Sequence, residues 1–171
     1  GESAKILNPK KRVFMPDMNA DCPMAHMADK DEILALREKY DDLAVVCYIN
    51  STAELKKYSD VCVTSSNAVK IVKNLPNKNI FFIPDRNLGS YVAKQCPDKN
   101  FIFNNGCCPR HVVITKDMVL KAKELHPEAR FAAHPECTED VLAFADYVGS
   151  TSGIIDYVVD TDADEYIIGT V

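Results

Sequence analysis

No run of apolar residues approaches the roughly 20 that a membrane-spanning helix requires, and the opening GESAKILNPKKR lacks the apolar middle of a secretory signal. Both absences point to a cytoplasmic chain. Basic clusters are equally scarce: 20 Lys and Arg face 25 Asp and Glu, the net charge is −5, and the longest basic run is Lys10, Lys11, Arg12. The electrostatic footprint of a phosphate backbone is missing, which excludes duplex nucleic acid as a partner. The seven cysteines include no C-x-x-C pair, so zinc ribbons and thioredoxin-type motifs lose their usual support. Their odd number and an aliphatic core also argue against a disulfide framework. What remains is thiol chemistry, or a metal whose ligands come from distant loops. The 171 residues, 47% hydrophobic and 26% charged, have the composition of a globular protein and suffice for one large domain or two small ones.

Short apolar runs alternate with segments of helical period, the pattern of parallel strands joined by crossover helices. Strands are expected at Val13 to Met15, Ala44 to Tyr48, Val61 to Val63, Ile80 to Ile83, Phe101 to Phe103, Arg130 to Ala133, Tyr147 to Val148 and Tyr166 to Ile168. Helices are expected near Lys30 to Tyr40, Ala53 to Tyr58, Ser66 to Asn74, Leu88 to Gln95, Lys116 to Leu125, Glu139 to Ala145 and Gly153 to Val159. Thr52 and Thr115 stand where helix N-caps belong. The chain begins with Gly and closes on YIIGTV, which reads as a strand cut before its turn, so a fragment is expected.

Sliding the sequence 86 positions along itself brings identical residues together 11 times in 54 pairs between Asn19 and Val72, among them Cys22/Cys108, Thr52/Thr138, Asp60/Asp146 and Ser66/Ser152. Unrelated sequences of this composition would give roughly three. The expected fold is therefore α/β, with two similar three-layer αβα domains built on parallel sheets and related by an internal repeat. The first spans residues 1–99 and the second residues 100–171, the second being truncated.

In open parallel sheets ligands bind beyond the carboxyl ends of the strands, where helix N-termini converge. The polar residues at those ends are Asp21, Cys22, Tyr48, Asn50, Thr64, Ser65, Ser66 and Asp85 in the first copy. The second supplies Cys108, His111, His134, Glu136, Ser150, Thr151 and Ser152. The TSSN and STSG segments bring hydroxyls to helix starts, where free N–H groups and the dipole favour a carboxylate or phosphate. Simple capping accounts for either segment alone; their duplication favours anion cradles. His134 and Glu136 flank Pro135 directly after a strand, which sets an imidazole and a carboxylate side by side for acid–base work. The first copy has Tyr48 and Asn50 there, so the halves are specialised. Cys47 and Cys62 lie in expected strands, where a thiol serves as a small hydrophobe; Cys96, Cys107 and Cys137 have no assigned role. Cys22 and Cys108, paired by the repeat, could meet across a cleft and hold either zinc or an iron–sulfur cluster.

The segments AKILNPKKRVFMPDMNADCPMAHM, VVCYINSTAELKKYSDVCVTSSNAV, FIPDRNLGSYVAKQ, NNGCCPRH, HPEC and VGSTSGII stand in one order along nearly the whole chain. On these motifs the chain resembles the quinolinate synthase family. That resemblance implies three similar α/β domains around a central cluster, of which this chain would supply two. It implies condensation of iminoaspartate with dihydroxyacetone phosphate, with loss of phosphate and water, in NAD biosynthesis. L-aspartate oxidase or aspartate dehydrogenase would supply the iminoaspartate. By the same resemblance Cys22 and Cys108 are ligands of a [4Fe–4S] cluster whose third cysteine lies beyond Val171, so this chain alone is expected to hold no stable cluster. Tyr48 and Asn50 would serve substrate binding and proton transfer. Ser65, Ser150 and Thr151 would bind carboxylate or phosphate, and His111, His134 and Glu136 would form the catalytic pocket. Asn104 and Asn105 depart from the family's usual aromatic residue before Gly106, and His26 replaces an acidic one. A competing expectation is a non-catalytic module that binds small anions between two like domains, with the cysteines incidental; bound iron and sulfide would discriminate the two.

Overall fold

The computed structural model describes residues 1–170; Val171, the last residue of the second expected unit, lies outside them. Two parallel sheets organise the chain. The first has four strands, β1 (Leu43–Tyr48), β2 (Val61–Val63), β3 (Asn79–Ile83) and β4 (Asn100–Phe103), in the order β2-β1-β3-β4. The second has three, β5 (Arg130–Ala133), β6 (Tyr147–Val148) and β7 (Tyr166–Gly169), in the order β6-β5-β7. Around them lie α1 (Glu2–Leu7), a 3-10 turn at Pro23–His26, α2 (Lys30–Lys39), α3 (Ala53–Lys57), α4 (Ala68–Asn74), α5 (Arg86–Gln95), α6 (Lys116–Leu125), α7 (Glu139–Leu142) and α8 (Thr151–Asp160). No helix among the described residues is long and apolar enough to cross a membrane.

The alternation of side chains along a strand explains the layers. Ala44, Val46 and Tyr48 of β1 and Ile80 and Phe82 of β3 pack with Val72 and Leu88 on one face. Leu43, Val45, Cys47, Phe81 and Ile83 pack with Ile33 and Leu55 on the other. Every residue of β1 is therefore buried, as a central parallel strand covered on both faces must be. Helix starts are held by side chains accepting backbone N–H groups: Asp29 from Asp31, Thr52 from Leu55, Asp85 from Leu88, Thr115 from Met118 and Ser150 from Gly153.

The 86-residue repeat is structural. It carries β1, β2 and β3 onto β5, β6 and β7 in the same sheet order, and α2 onto α6. Equivalent hydrogen bonds recur: Asp60 accepts from Val45 N at 2.7 Å and Asp146 from Phe131 N at 2.8 Å. Arg37 pairs with Asp60 and Lys123 with Asp146. β4, Asn100–Phe103, pairs with β3, so the first sheet runs past Lys99.

Two expectations are corrected and two elements are added. Val13 to Met15 form no strand; Phe14 is exposed, and a three-residue apolar run without a pairing neighbour has no ladder to join. The helix α1 and the Pro23–His26 turn were not anticipated: α1 buries no residue, so it leaves no apolar periodicity to read. Cys62 is exposed rather than buried in the core, because β2 is an edge strand.

Asp146 provides a test of the repeated bond. The hydrogen bond from Phe131 N, opposed by partial burial and reinforced by Lys123 and Arg130, holds its carboxyl below the ordinary 3.8. Its folded value lies below its unfolded one, so its stabilisation is complete above the unfolded value and is lost as pH falls through the folded one. Asp146→Ala is expected to cost about 1.5–3 kcal/mol at neutral pH, and to flatten the fall in stability below pH 3.8. Denaturant titrations of both proteins across pH 2–7 check this; an unchanged acid limb would contradict it.

Candidate functional site

The turn that follows β4 carries Cys107 and Cys108, and the turn that follows β5 carries His134 and Glu136. Both turns open at the carboxyl ends of their strands. Gly106 allows the first to lie tight against the end of β3: its carbonyl accepts from Arg86 N at 2.8 Å, and any Cβ at this position would strike the Pro84 carbonyl. Cys108 then begins a turn in which His111 N donates to the Cys108 carbonyl at 3.2 Å. The repeat places Ala25 N on the Cys22 carbonyl at 2.9 Å in the same way.

Four buried side chains converge here. His111 Nδ1 lies 2.8 Å from Glu136 Oε2 and 3.1 Å from Cys108 Sγ, while its Nε2 is 3.0 Å from the Thr170 hydroxyl. The His134 ring stacks on His111 with centroids 4.8 Å apart, and Glu136 N donates to His134 Nδ1 at 3.3 Å. That bond makes Nδ1 of His134 an acceptor, which leaves the proton of the neutral ring on Nε2. Burial lowers the His134 pKa, against the pull of Glu136, which favours this neutral form. For Glu136, burial acts to raise the pKa, but the hydrogen bonds of His111 and Tyr48 and the two imidazoles outweigh it and leave the carboxyl below its ordinary range. Its Oε2 has partners; its Oε1 is buried and has none among the described residues. The Tyr48 phenol, at the end of β1, is pushed well above its usual value by burial and then by Glu136, with Ser65 beside it pulling the other way.

Beneath this group Asp85 is fully buried. Its carboxylate accepts from Leu88 N at 2.7 Å, capping α5, and from Cys108 N at 2.7 Å, so one side chain ties that helix to the cysteine turn. Burial pushes its pKa up to about 6. Asn87, in the first turn of the same helix, donates from Nδ2 to the Glu136 carbonyl at 3.1 Å. Burial also pushes the thiols of Cys108 and Cys137 up to about 11, so each holds its proton at neutral pH unless a metal displaces it.

The structure brings Tyr48, Ser65, Cys108, His111, His134 and Glu136 into one neighbourhood. It places Cys22 and Asn50 together on an adjoining open hollow of about 1170 Å³. Cys22 packs against the apolar cluster that contains Tyr48 and Cys108. Ser150 caps α8 and pairs with Ser152 at 3.2 Å, repeating the Thr64–Ser66 pair at 2.9 Å; Thr151 is exposed on the first turn of α8. Asp85 stood among the strand-end polar residues without a role, because its bond to Cys108 crosses 23 residues. Asn87 and Thr170 carried no signal at all. Cys22 and Cys108, free thiols on repeat-equivalent turns against one apolar surface, are donors of the type an iron–sulfur group takes. A second grouping, Cys108, His111 and Glu136, places three potential metal-ligating atoms within 4.8 Å of one another.

Comparison with known proteins agrees with the motifs. The family described as Quinolinate synthetase A protein matches residues 1–171. The chain is 60% identical to the quinolinate synthase of Fusobacterium nucleatum over 170 residues, 99% of this chain and 57% of that protein. It is 54% identical to that of Caldicellulosiruptor saccharolyticus and 49% identical to that of Clostridioides difficile, covering 56% of each. The chain thus spans little more than half the length of these relatives. It belongs to the quinolinate synthetase A family.

Proposed function

We propose that this chain carries part of the active site that condenses iminoaspartate with dihydroxyacetone phosphate to quinolinate in NAD biosynthesis. The single observation that supports the reading most is the convergence of His111, His134 and Tyr48 on a buried, ionised Glu136 beside a cysteine. Cys22 and Cys108 would hold a [4Fe–4S] cluster, with the third thiolate supplied from outside this chain. When bound, such a cluster offers an open iron that acts as a Lewis acid toward a substrate carboxylate or hydroxyl.

The protein's own residues move the protons. Glu136, held ionised by His111, is the base for enolisation, and its unpartnered Oε1 is the atom that takes the proton. Tyr48, kept protonated by burial, returns a proton to a departing oxygen. His134, neutral with Nε2–H, donates a hydrogen bond to the phosphate-bearing substrate. Ser65, Asn50, Ser150 and Thr151 bind carboxylate and phosphate oxygens. L-aspartate oxidase or aspartate dehydrogenase supplies the iminoaspartate, and the two repeat halves act as like domains, the first reaching past Lys99 to include β4. The duplicated hydroxyl pairs, 2.9 and 3.2 Å across, also support the simpler reading of a small-anion binding module.

Iron decides between them. Anaerobic protein carrying its natural flanking sequence is expected to contain iron and sulfide and to form quinolinate, and Cys22→Ser and Cys108→Ser are each expected to lose the cluster. Absence of iron in the parent protein, with both variants unaltered in anion binding, would leave the binding module.

A further inference from the structure

We propose that Cys108, His111 and Glu136 form a site for a single divalent zinc ion that does not need Cys22, and that excludes the cluster because both use the Cys108 thiolate. The first half stands on the geometry below; the exclusion rests on the cluster reading above.

The donor atoms are already gathered. Cys108 Sγ lies 3.1 Å from His111 Nδ1, which lies 2.8 Å from Glu136 Oε2. Tetrahedral zinc with ordinary bond lengths separates such donors by roughly 3.4–3.6 Å, so an ion enters by spreading these two pairs by about half an ångström, with all three donors already within 4.8 Å of one another. Three further features are those of a metal site. Glu136 Oε1 is buried and has no partner among the described residues, in a side chain only 3% exposed; a carboxylate with a free buried oxygen has an unmet need for a cation or a donor. The nitrogen of His111 that would not bind metal is 3.0 Å from the Thr170 hydroxyl, the outer hydrogen bond that fixes ring orientation in metal-bound imidazoles. Cys108 is anchored through its backbone by Asp85, and Glu136 through its carbonyl by Asn87.

The mixture selects the ion. One thiolate, one imidazole and one carboxylate suit zinc, whereas calcium and magnesium require oxygen donors. Three protein ligands leave the fourth position open to water. Binding displaces the thiol proton to solvent and moves the His111 ring proton from Nδ1, where it faces Glu136, to Nε2, where the Thr170 hydroxyl accepts it; no oxidation state changes, so the step balances with water alone.

The test uses metal-free, reduced protein carrying its natural flanking sequence, the form expected to assemble the cluster. With Co²⁺ as the probe, the chain is expected to bind one equivalent and show a thiolate-to-cobalt charge-transfer band with tetrahedral d–d bands. With Zn²⁺, alkylation followed by mass spectrometry is expected to find Cys108 protected and Cys22 as reactive as before. Cys22→Ser should keep affinity and band; Cys108→Ser should lose the band. His111→Ala should weaken zinc by more than the roughly 100-fold that loss of an outer-shell partner costs. A band that survives Cys108→Ser or disappears in Cys22→Ser overturns the site, and so does wild-type protein that binds no ion. Should a variant misfold, the protection pattern in unmutated protein decides alone. Zinc-loaded protein should assemble less cluster than metal-free protein. Equal assembly with zinc retained overturns the exclusion. Failure of metal-free protein to take up iron and sulfide, with zinc still bound at Cys108, ends the cluster reading and leaves the zinc site standing.

Discussion

Replacing Glu136 by Gln is expected to lower the rate constant for quinolinate formation by about 10²–10⁴-fold, the range that loss of a positioned acid–base group produces. The substitution keeps the shape and removes the charge. Gln can still face His111 Nδ1 with its oxygen, so the buried contacts that position the side chain survive in part. What is lost is proton affinity at Oε1, the oxygen without a partner. A loss confined to kcat marks a group acting in the reaction; a rise in KM alone would mean that Glu136 only binds substrate. Steady-state kinetics on the protein with its flanking sequence, alongside Tyr48→Phe, separate these. A Glu136→Gln enzyme with unchanged kcat would remove this residue from the mechanism.

Truncating Phe131 to Ala is expected to destabilise the fold by about 3–5 kcal/mol. Phe131 is the largest fully buried side chain of the second sheet, packed with Val119, Ala133, Cys137 and Val141. Its ring also lies against Gly169, where a Cβ would meet it at 2.8 Å, so β7 approaches β5 only because that residue is glycine. The core of this half is small, with only five buried residues in its cluster, so losing the ring removes a large share of its apolar packing. β5 leads directly into His134 and Glu136, so loosening it also loosens the candidate site. Chemical denaturation of Phe131→Ala and Phe131→Leu measures the effect, with Leu expected to recover most of it. A loss under about 1 kcal/mol for the Ala variant would show that the second sheet repacks freely.

Much of this was legible along the chain. The alternation of β1 and β3 expresses burial on both faces, and the pairs Asp60/Asp146 and Cys22/Cys108 reveal a duplicated plan, because local pattern and repeat spacing follow directly from residue order. Strand ends likewise mark Tyr48, Cys108, His111, His134 and Glu136 in the sequence alone. Only the tertiary structure decided which of these meet. Cys108, His111 and Glu136 come together because the turns after two different strands lie side by side, and Asp85 reaches Cys108 because α5 starts under that turn. Pairing across an edge likewise decided against a strand at Val13 to Met15 and for the exposure of Cys62. The physical reason is common to all of them: a hydrogen bond or a covered face depends on a partner distant in the chain, which residue order alone does not specify.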